Sequence, residues 1–490
     1  MNFEDKKKLA EVLEEFELQY SVNEWEQYGV QFWPILKNII YFNDRKFSNK
    51  SDLTTRDKIA IIPRAGQNRF NALFRKLNVF KIKKKFQETE LRESNIIFAG
   101  GKTHRIEWNN ESFNKYFDPI MDDLFDQCRT SSILFEYHDW SLKGVHKKER
   151  VFSLHDFYLY FKLKTKTSVK LKISAEMQAV LAEIEGKTNI RSSVLCSRLE
   201  SSINDILLWK ETWLYILKKV KPKKIIGLCY YNNPMYGMNL AAFEMKIPTV
   251  DMQHGGQGLM HPAYNFANLK SRTYNLLPNY FWCWDESSYD AIKAWLPAVK
   301  SHKAILGGNP WIEYLLQSEF DVSSDQKKII ICTLTIGIKP ILDEFVMKAI
   351  QESDNEFVWW LRFHPRTPKE DILELKKIIK KAGIQDKIEV EKANSIPLPL
   401  IMKKAWGHIS RSSGSIGEAA MQNVPVNIIS DNVGKLTYQR LIDEGKAYFF
   451  DHNSGMSLLQ FIYDLKPENL APIPSEYSCT DYKKILDDII

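Results

Sequence analysis

Cysteine is scarce and scattered in this chain of 490 residues, which has six: Cys128, Cys196, Cys229, Cys283, Cys332 and Cys479. None stands at ligand spacing from another. That excludes a zinc knuckle and a disulfide frame, and leaves buried thiols in a reducing compartment as the expectation. No uninterrupted apolar run reaches the roughly 18 residues a membrane-spanning helix needs. The opening stretch, MNFEDKKKLAEVLEEFELQY, has amphipathic spacing and lacks the apolar core of a signal peptide, so a cytoplasmic protein is expected. Low-complexity tracts and internal sequence repeats are missing too. Neither G-x-G-x-x-G nor G-x-x-x-x-G-K-[ST] occurs, which takes away the main support for nicotinamide enzymes and P-loop NTPases, and there is no G-x-S-x-G nucleophile elbow. No signature of a DNA- or RNA-binding module accompanies the basic residues, so no nucleic-acid partner is expected.

What is present is ordinary for a folded chain: 44% hydrophobic and 26% charged residues. That balance excludes general disorder. The length suggests two large domains or three ordinary ones. The net charge of +7 gathers in KIKKK (81–85), KTKTSVKLK (164–172) and KKVKPKK (218–224). Each of these is either a solvated face or a contact for an anionic membrane. The 13 tryptophans exceed what packing requires; they suit sugar stacking, although core packing is their commoner use.

From residue 203 onward the sequence has a regular rhythm. Apolar strands such as KIIGLCYY (224–231), IPTVDMQHG (247–255), KKIIICTL (327–334) and VPVNIIS (424–430) alternate with helical segments of about a dozen residues. This pattern predicts parallel βαβ units. The polar stretch SEFDVSSDQ (318–326) reads as a linker. The expected fold class is therefore α/β, with two doubly wound Rossmann-like domains facing each other across a cleft. The expected division is 1–316, 317–465 and a tail, 466–490, that packs back. Residues 1–200 are expected to form a helical and irregular elaboration of the first domain, although NIIFAGG (95–101) and SSILFEYHDW (131–140) look like strands.

Candidate chemistry falls in the loops that follow strands. His364 precedes Pro365, whose ring ends the strand, and Arg362 and Arg366 flank it, a set of cations suited to phosphate. In ISRSSGSIGEAA (409–420), Ser412 and Ser413 offer hydroxyl donors before a helix start, with Arg411 beside them. Glu418, one turn in, is placed either to accept from ribose hydroxyls or to close a capping box with Ser415. In DMQHGGQGLMHPAYNF (251–266), His254 beside a run of glycines is a candidate general base, with Asp251, His261 and Tyr264 as second-rank candidates. Gly308, in ILGGNPWIEYLL (305–316), either admits a phosphate or forms a hinge. No carboxylate or cysteine accompanies His254 and His261 at ligand spacing, so no metal is expected.

Together, two doubly wound halves, the G-N-P turn before the crossing, His364-Pro365, and Ser412-Ser413 ahead of a helix carrying Glu418-Ala419 resemble the GT-B glycosyltransferases. More narrowly, His364-Pro365 and Ser412-Ser413 are similar to the HP and S/SS motifs shared by bacterial sialyltransferases, Kdo transferases of capsule assembly and CDP-glycerol glycerophosphotransferases. The resemblance implies that His364, Ser412 and Ser413 bind the nucleotide's phosphate. Gln253-His254-Gly255 resembles the H-G element of the glycerophosphotransferases, which implies a base role for His254, although the W-H-G-T-P-L-K context is absent. The sialyltransferases carry an acidic D/E-D/E-G motif upstream of HP; Asp443-Glu444-Gly445 lies after the S/SS element and inherits no catalytic role. Glu418-Ala419 is equally a feature of UDP-sugar enzymes of this fold, whose glutamate grips the ribose.

The resemblance covers residues 224–430. It implies a metal-independent cytoplasmic glycosyltransferase with no cofactor, moving a sugar from a CMP- or UDP-linked donor to a surface polysaccharide such as capsule or O-antigen, or to a lipid-linked glycan. A lipid-linked acceptor would bring peripheral contact with the inner face of the cytoplasmic membrane. Two other readings stay open: a non-hydrolysing UDP-sugar epimerase, and a non-catalytic scaffold of a polysaccharide assembly complex.

Overall fold

The computed structural model describes residues 3–42, 79–137, 143–165, 168–258, 260–270, 272–296, 300–317, 327–465 and 480–489. The proposed linker 318–326 and most of the tail lie outside them.

Strands that are apolar along their whole length need cover on both faces, which parallel sheets obtain from their crossover helices. The first sheet is made from β1 (Ile96–Gly101), β4 (Ser132–Tyr137), β5 (Val151–Ser153), β6 (Lys224–Leu228), β7 (Thr249–Met252), β8 (Tyr280–Cys283) and β9 (Lys303–Leu306). Its order is β9-β8-β7-β6-β1-β4-β5, and every pairing is parallel. A short hairpin, β2 (Arg105–Trp108) with β3 (Glu111–Asn114), leaves the end of β1.

The second sheet contains β10 (Lys328–Leu334), β11 (Phe357–Phe363), β12 (Ile388–Glu389), β13 (Ala405–Ser410), β14 (Val426–Ile429) and β15 (Tyr448–Phe449). Its order is β12-β11-β10-β13-β14-β15, again parallel throughout. Both halves are thus doubly wound, and the fold class is the expected one: two Rossmann-like units facing across a cleft.

The strand order reverses between β1 and β6 in the first sheet and between β10 and β13 in the second. Loops diverge to opposite faces at such points and leave a crevice beyond the carboxyl ends of the strands. The helix Ser192–Val220, with Leu195, Leu199, Ile203, Ile206, Trp213, Leu217 and Val220 buried at three- and four-residue spacing, feeds β6 through Lys221, whose φ is +51°. It packs along Asn233–Met245.

One expectation is corrected. Residues before 200 are not only an elaboration, because β1, β4 and β5 are three of the seven strands and β1 is central. The strand character of β1 is local, but its partner β6 lies beyond residue 220, and pairing that distant leaves no local signal. Residues 480–489 return to the first sheet. Tyr482 stacks near Trp282 at 6.1 Å, and Glu313 accepts hydrogen bonds from Thr480 Oγ1 at 2.7 Å and Tyr482 Oη at 2.8 Å. No helix among the described residues is long and apolar enough to cross a membrane.

Candidate functional site

The first crevice collects residues from three strand ends. β1 runs into Gly100-Gly101 and a turn carrying His104, β6 into Cys229, and β7 into Gln253-His254. Cys229 follows β6 with φ +58°, in the left-handed region. His254 Nε2 lies 3.1 Å from Cys229 Sγ and 3.1 Å from Tyr231 Oη, and His104 Nε2 lies 4.0 Å from the same sulfur. Burial, helped by the Lys115 ammonium, pushes His254 down to about 4, so the imidazole is neutral at ordinary pH. Burial pushes the Cys229 thiol up, which keeps it protonated.

Asp251 sits behind this cluster. Its Oδ1 accepts the Tyr230 N–H at 3.0 Å and its Oδ2 the Tyr264 hydroxyl at 2.7 Å. Burial pushes its carboxyl up to about 7. His261 packs against Tyr264 and Tyr231, with ring centroids 4.8 and 5.0 Å apart, and its Nδ1 accepts the Ala263 N–H at 3.3 Å. These second-rank candidates form a wall that holds Tyr231 against His254.

In the second unit β11 delivers Arg362 and His364. Arg362 Nη1 donates to the carbonyls of Ala393 at 2.5 Å and Ile396 at 2.6 Å, and burial lowers the guanidinium to about 10. His364 Nδ1 accepts the Arg366 N–H at 3.1 Å. Burial, then the charges of Arg366 and Lys115, lower the His364 imidazole. After β13, Ser412 hydrogen-bonds the Asp431 carboxylate and Ser413 Oγ accepts the Ser415 N–H at 3.3 Å.

The capping box does not form. Gly414 caps the Ser415–Met421 helix without a side-chain bond. Ser415 Oγ turns inward instead, 2.8 Å from Thr333 Oγ1 and 3.2 Å from His408 Nε2. His408 Nδ1 is 2.9 Å from Asn427 Oδ1, so this buried network fixes the floor under the serine loop. Glu418 is released from capping and lies in the field of two cations: burial raises its carboxyl, while Lys115 and Arg362 pull it down.

Two candidates sit elsewhere. Arg411 is buried in its own unit, donating from Nε to Asp343 Oδ2 at 3.0 Å and from Nη2 to Asp343 Oδ1 at 2.6 Å. It is therefore committed to a carboxylate. Gly308 has φ +73°, and its carbonyl accepts the Trp282 indole N–H at 2.9 Å. A Cβ there would lie 2.2 Å from Glu313 Oε1, so the position is closely packed and left to glycine.

The units meet at two glycine-bearing loops. A Cβ on Gly414 would lie 3.4 Å from Gly255 Cα, and one on Gly256 would lie 2.8 Å from Tyr438 Oη. Tyr438 Oη itself donates to the Ser413 carbonyl at 3.0 Å. Arg440 of the second unit pairs with Asp290 and Glu286 of the first.

This closure brings in Lys115, which follows β3. Its charge acts on His254 within its own unit and on His364 and Glu418 across the seam. The hairpin that presents it is anchored from below. Arg105 Nε is 2.9 Å from each Glu136 oxygen, and Asp118 Oδ2 accepts the Asn114 N–H at 2.6 Å. Phe113 packs on Trp311 at 5.7 Å and Tyr314 at 5.2 Å, beside the crossing to the second unit.

The motifs did not single out Lys115, His104 or Cys229. His104 carries the signal that singled out His254, a strand end with adjacent glycines, whereas Lys115 carries none. Among the described residues no group of three or more His, Cys, Asp or Glu side chains could hold a metal ion.

No protein-family model matches the chain. No curated protein matches it. Solved structures do show distant likeness. A UDP-GlcNAc 2-epimerase from Neisseria meningitidis bound to UDP-GlcNAc is 16% identical, with 80% of this chain and 98% of that one covered and a TM-score of 0.44. MurG of Acinetobacter baumannii is 11% identical, with 81% and 99% covered and a TM-score of 0.43. The Anabaena protein Alr3699/HepE in complex with UDP is 10% identical, with 76% and 89% covered and a TM-score of 0.39. Likenesses this distant decide neither substrate nor reaction.

Proposed function

We propose that the chain is a glycosyltransferase that moves a sugar from a CMP- or UDP-linked donor to a surface polysaccharide or lipid-linked glycan of the capsule or O-antigen type, at the inner face of the cytoplasmic membrane. The observation that carries this reading is the convergence of cationic groups from both units on one seam. Lys115 comes from the first, and Arg362 and Arg366 come from the second, around His364 and Glu418 and opposite His254. Such a set stabilises the charge that develops on a departing nucleotide phosphate. The likeness of His364-Pro365 and Ser412-Ser413 to the HP and S/SS motifs supports the same assignment.

In this reading His364, Arg362, Ser413 and Lys115 hold the phosphate, Glu418 accepts from the ribose hydroxyls, and His254 takes the acceptor's proton at Nε2. At about 4, the free imidazole is a weak base. A bound phosphate would offset the Lys115 charge that helps hold it there, and so raise its proton affinity when donor is present. Closure at the glycine seam excludes water from the donor.

The test is transfer from CMP-, CDP-, UDP- and GDP-sugars with and without a saccharide acceptor, alongside thermal shifts with the free nucleotides. His364→Ala and Lys115→Ala should weaken the nucleotide-induced shift, whereas His254→Ala should keep it and lower turnover. Conversion of the nucleotide sugar without acceptor would favour an epimerase. Response to no nucleotide would overturn the reading, and full turnover by His254→Ala would remove the base assignment.

A further inference from the structure

The lysine-rich segments 81–85, 164–172 and 218–224 are distant in sequence. Aromatic contacts draw residues 79–88, Lys164 and the helix end carrying Lys218 and Lys219 onto one face, whereas Lys170 and Lys172 lie apart, beside Glu200 and Gln27. Phe86, in the helical stretch 79–88, stacks on Tyr160 with centroids 3.6 Å apart and reaches Tyr215 at 5.1 Å. Phe161 joins them, 5.7 Å from Tyr215. Helical spacing sets Lys218 and Lys219 three and four residues beyond Tyr215 on the helix Ser192–Val220, on its side of that helix. Lys164 Nζ lies 4.4 Å from the centre of the Tyr160 ring.

Two lysines of the first segment are neutralised: Lys85 pairs with Asp156 at 2.6 Å and Lys84 with Glu88 at 3.6 Å. Lys81, Lys83, Lys162, Lys164, Lys218 and Lys219 are exposed and enter no ion pair among the described residues. Two large apolar side chains protrude beside them, Phe80 at 65% exposure and Leu163 at 41%.

We propose that this face, formed by residues 79–88, the helix Leu154–Lys164 and the carboxyl end of Ser192–Val220, docks on an anionic membrane surface. The lysines would meet the headgroup phosphates while Phe80 and Leu163 enter the headgroup–acyl boundary. A single-stranded nucleic acid fits less well. It requires rings offered for base stacking, and Phe86, Tyr160, Phe161 and Tyr215 are packed on one another. The face stands on its own geometry, and rests on the proposed transfer only for its purpose, which is to bring the cleft to a lipid-linked acceptor.

The experiment is co-sedimentation of the full chain with vesicles of phosphatidylglycerol and phosphatidylcholine in equal parts, and with phosphatidylcholine alone. The chain should sediment with the anionic vesicles only, and added salt should release it. Each lysine near such a surface changes affinity several-fold, so Lys81→Glu/Lys83→Glu/Lys164→Glu should weaken binding by at least about tenfold. Phe80→Ser/Leu163→Ser should weaken it independently. All five substitutions are at exposed side chains, and nucleotide thermal shifts on both variants should match the parent chain. A missing nucleotide shift with intact vesicle binding would sink the transferase reading and leave the membrane face standing. Equal binding to both vesicle types, undiminished binding by the lysine variant, or displacement of vesicles by a single-stranded RNA that binds Phe80→Ser/Leu163→Ser normally would overturn it.

Discussion

Asp251→Asn should stabilise the protein above neutral pH and destabilise it slightly in acid. Asp251 is fully buried, its two oxygens satisfied by the Tyr230 N–H and the Tyr264 hydroxyl, and burial lifts its carboxyl from 3.8 to about 7. The folded state therefore keeps a proton that the unfolded chain releases near 3.8. Between those limits the unfolded state binds fewer protons, so this residue's contribution to stability falls as pH rises, by about 1.4 kcal/mol per unit. Across the interval the loss reaches about 4 kcal/mol and then levels off.

Asparagine carries no charge to bury, but it offers one acceptor where aspartate offers two. The Tyr264 hydroxyl must then accept rather than donate, an exchange costing about 1 kcal/mol. The two stability curves should cross between about pH 4 and 5, with the variant ahead by about 3 kcal/mol at pH 8. Thermal melts followed by tryptophan fluorescence from pH 4 to 9 read this as a gain on the order of 5–10 °C at the alkaline end. Parallel curves would mean that Asp251 is ionised in the folded protein and would refute the reasoning. The same variant should retain nucleotide binding, since the Asp251 carboxylate bonds Tyr230 and Tyr264 and none of the groups assigned to the phosphate.

The seam gives a second prediction. Gly256→Val would drive a Cβ to within 2.8 Å of Tyr438 Oη, so the units should part, enlarging the radius of gyration in solution scattering; an unchanged radius would mean that the loops yield without opening. A third concerns the buried network. His408→Leu takes its partner from the buried Asn427 Oδ1, while Ser415 Oγ and Thr333 Oγ1 keep each other, so chemical denaturation should show a loss of about 1–3 kcal/mol at pH 7. Burial holds the His408 imidazole at about 4, below its ordinary 6.5. The folded state thus binds the proton later than the unfolded one, and His408 contributes stability that is lost as pH falls from 6.5 toward 4. The variant should be less sensitive to acid across that window, and an equal acid slope would show that His408 is not the group responsible.

The double winding was legible in the sequence because it is written locally. Strands such as IIICTL in β10 and VNII in β14 are predominantly apolar, and that pattern is tied to burial on both faces of a parallel sheet. Loop chemistry was legible for the same reason: Pro365 after His364, the serines after β13 and the glycines after His254 are punctuation read residue by residue.

Tertiary structure alone decided the rest. It put β1 beside β6, which moved β1, β4 and β5 from the periphery into the first sheet. It turned Ser415 inward to Thr333 and His408, so that Glu418 answers to Lys115 and Arg362 rather than to a helix cap. It tied Arg411 to Asp343. Lys115 had no motif because its role depends on a hairpin anchored by Arg105 and Glu136 and on the closure of a second unit against the first. Local patterns fix which residues become strands and which loops bear chemistry, since each depends on neighbours within a few positions. Which charges face one another is set by pairings hundreds of residues apart, whose energy appears only once the chain has folded.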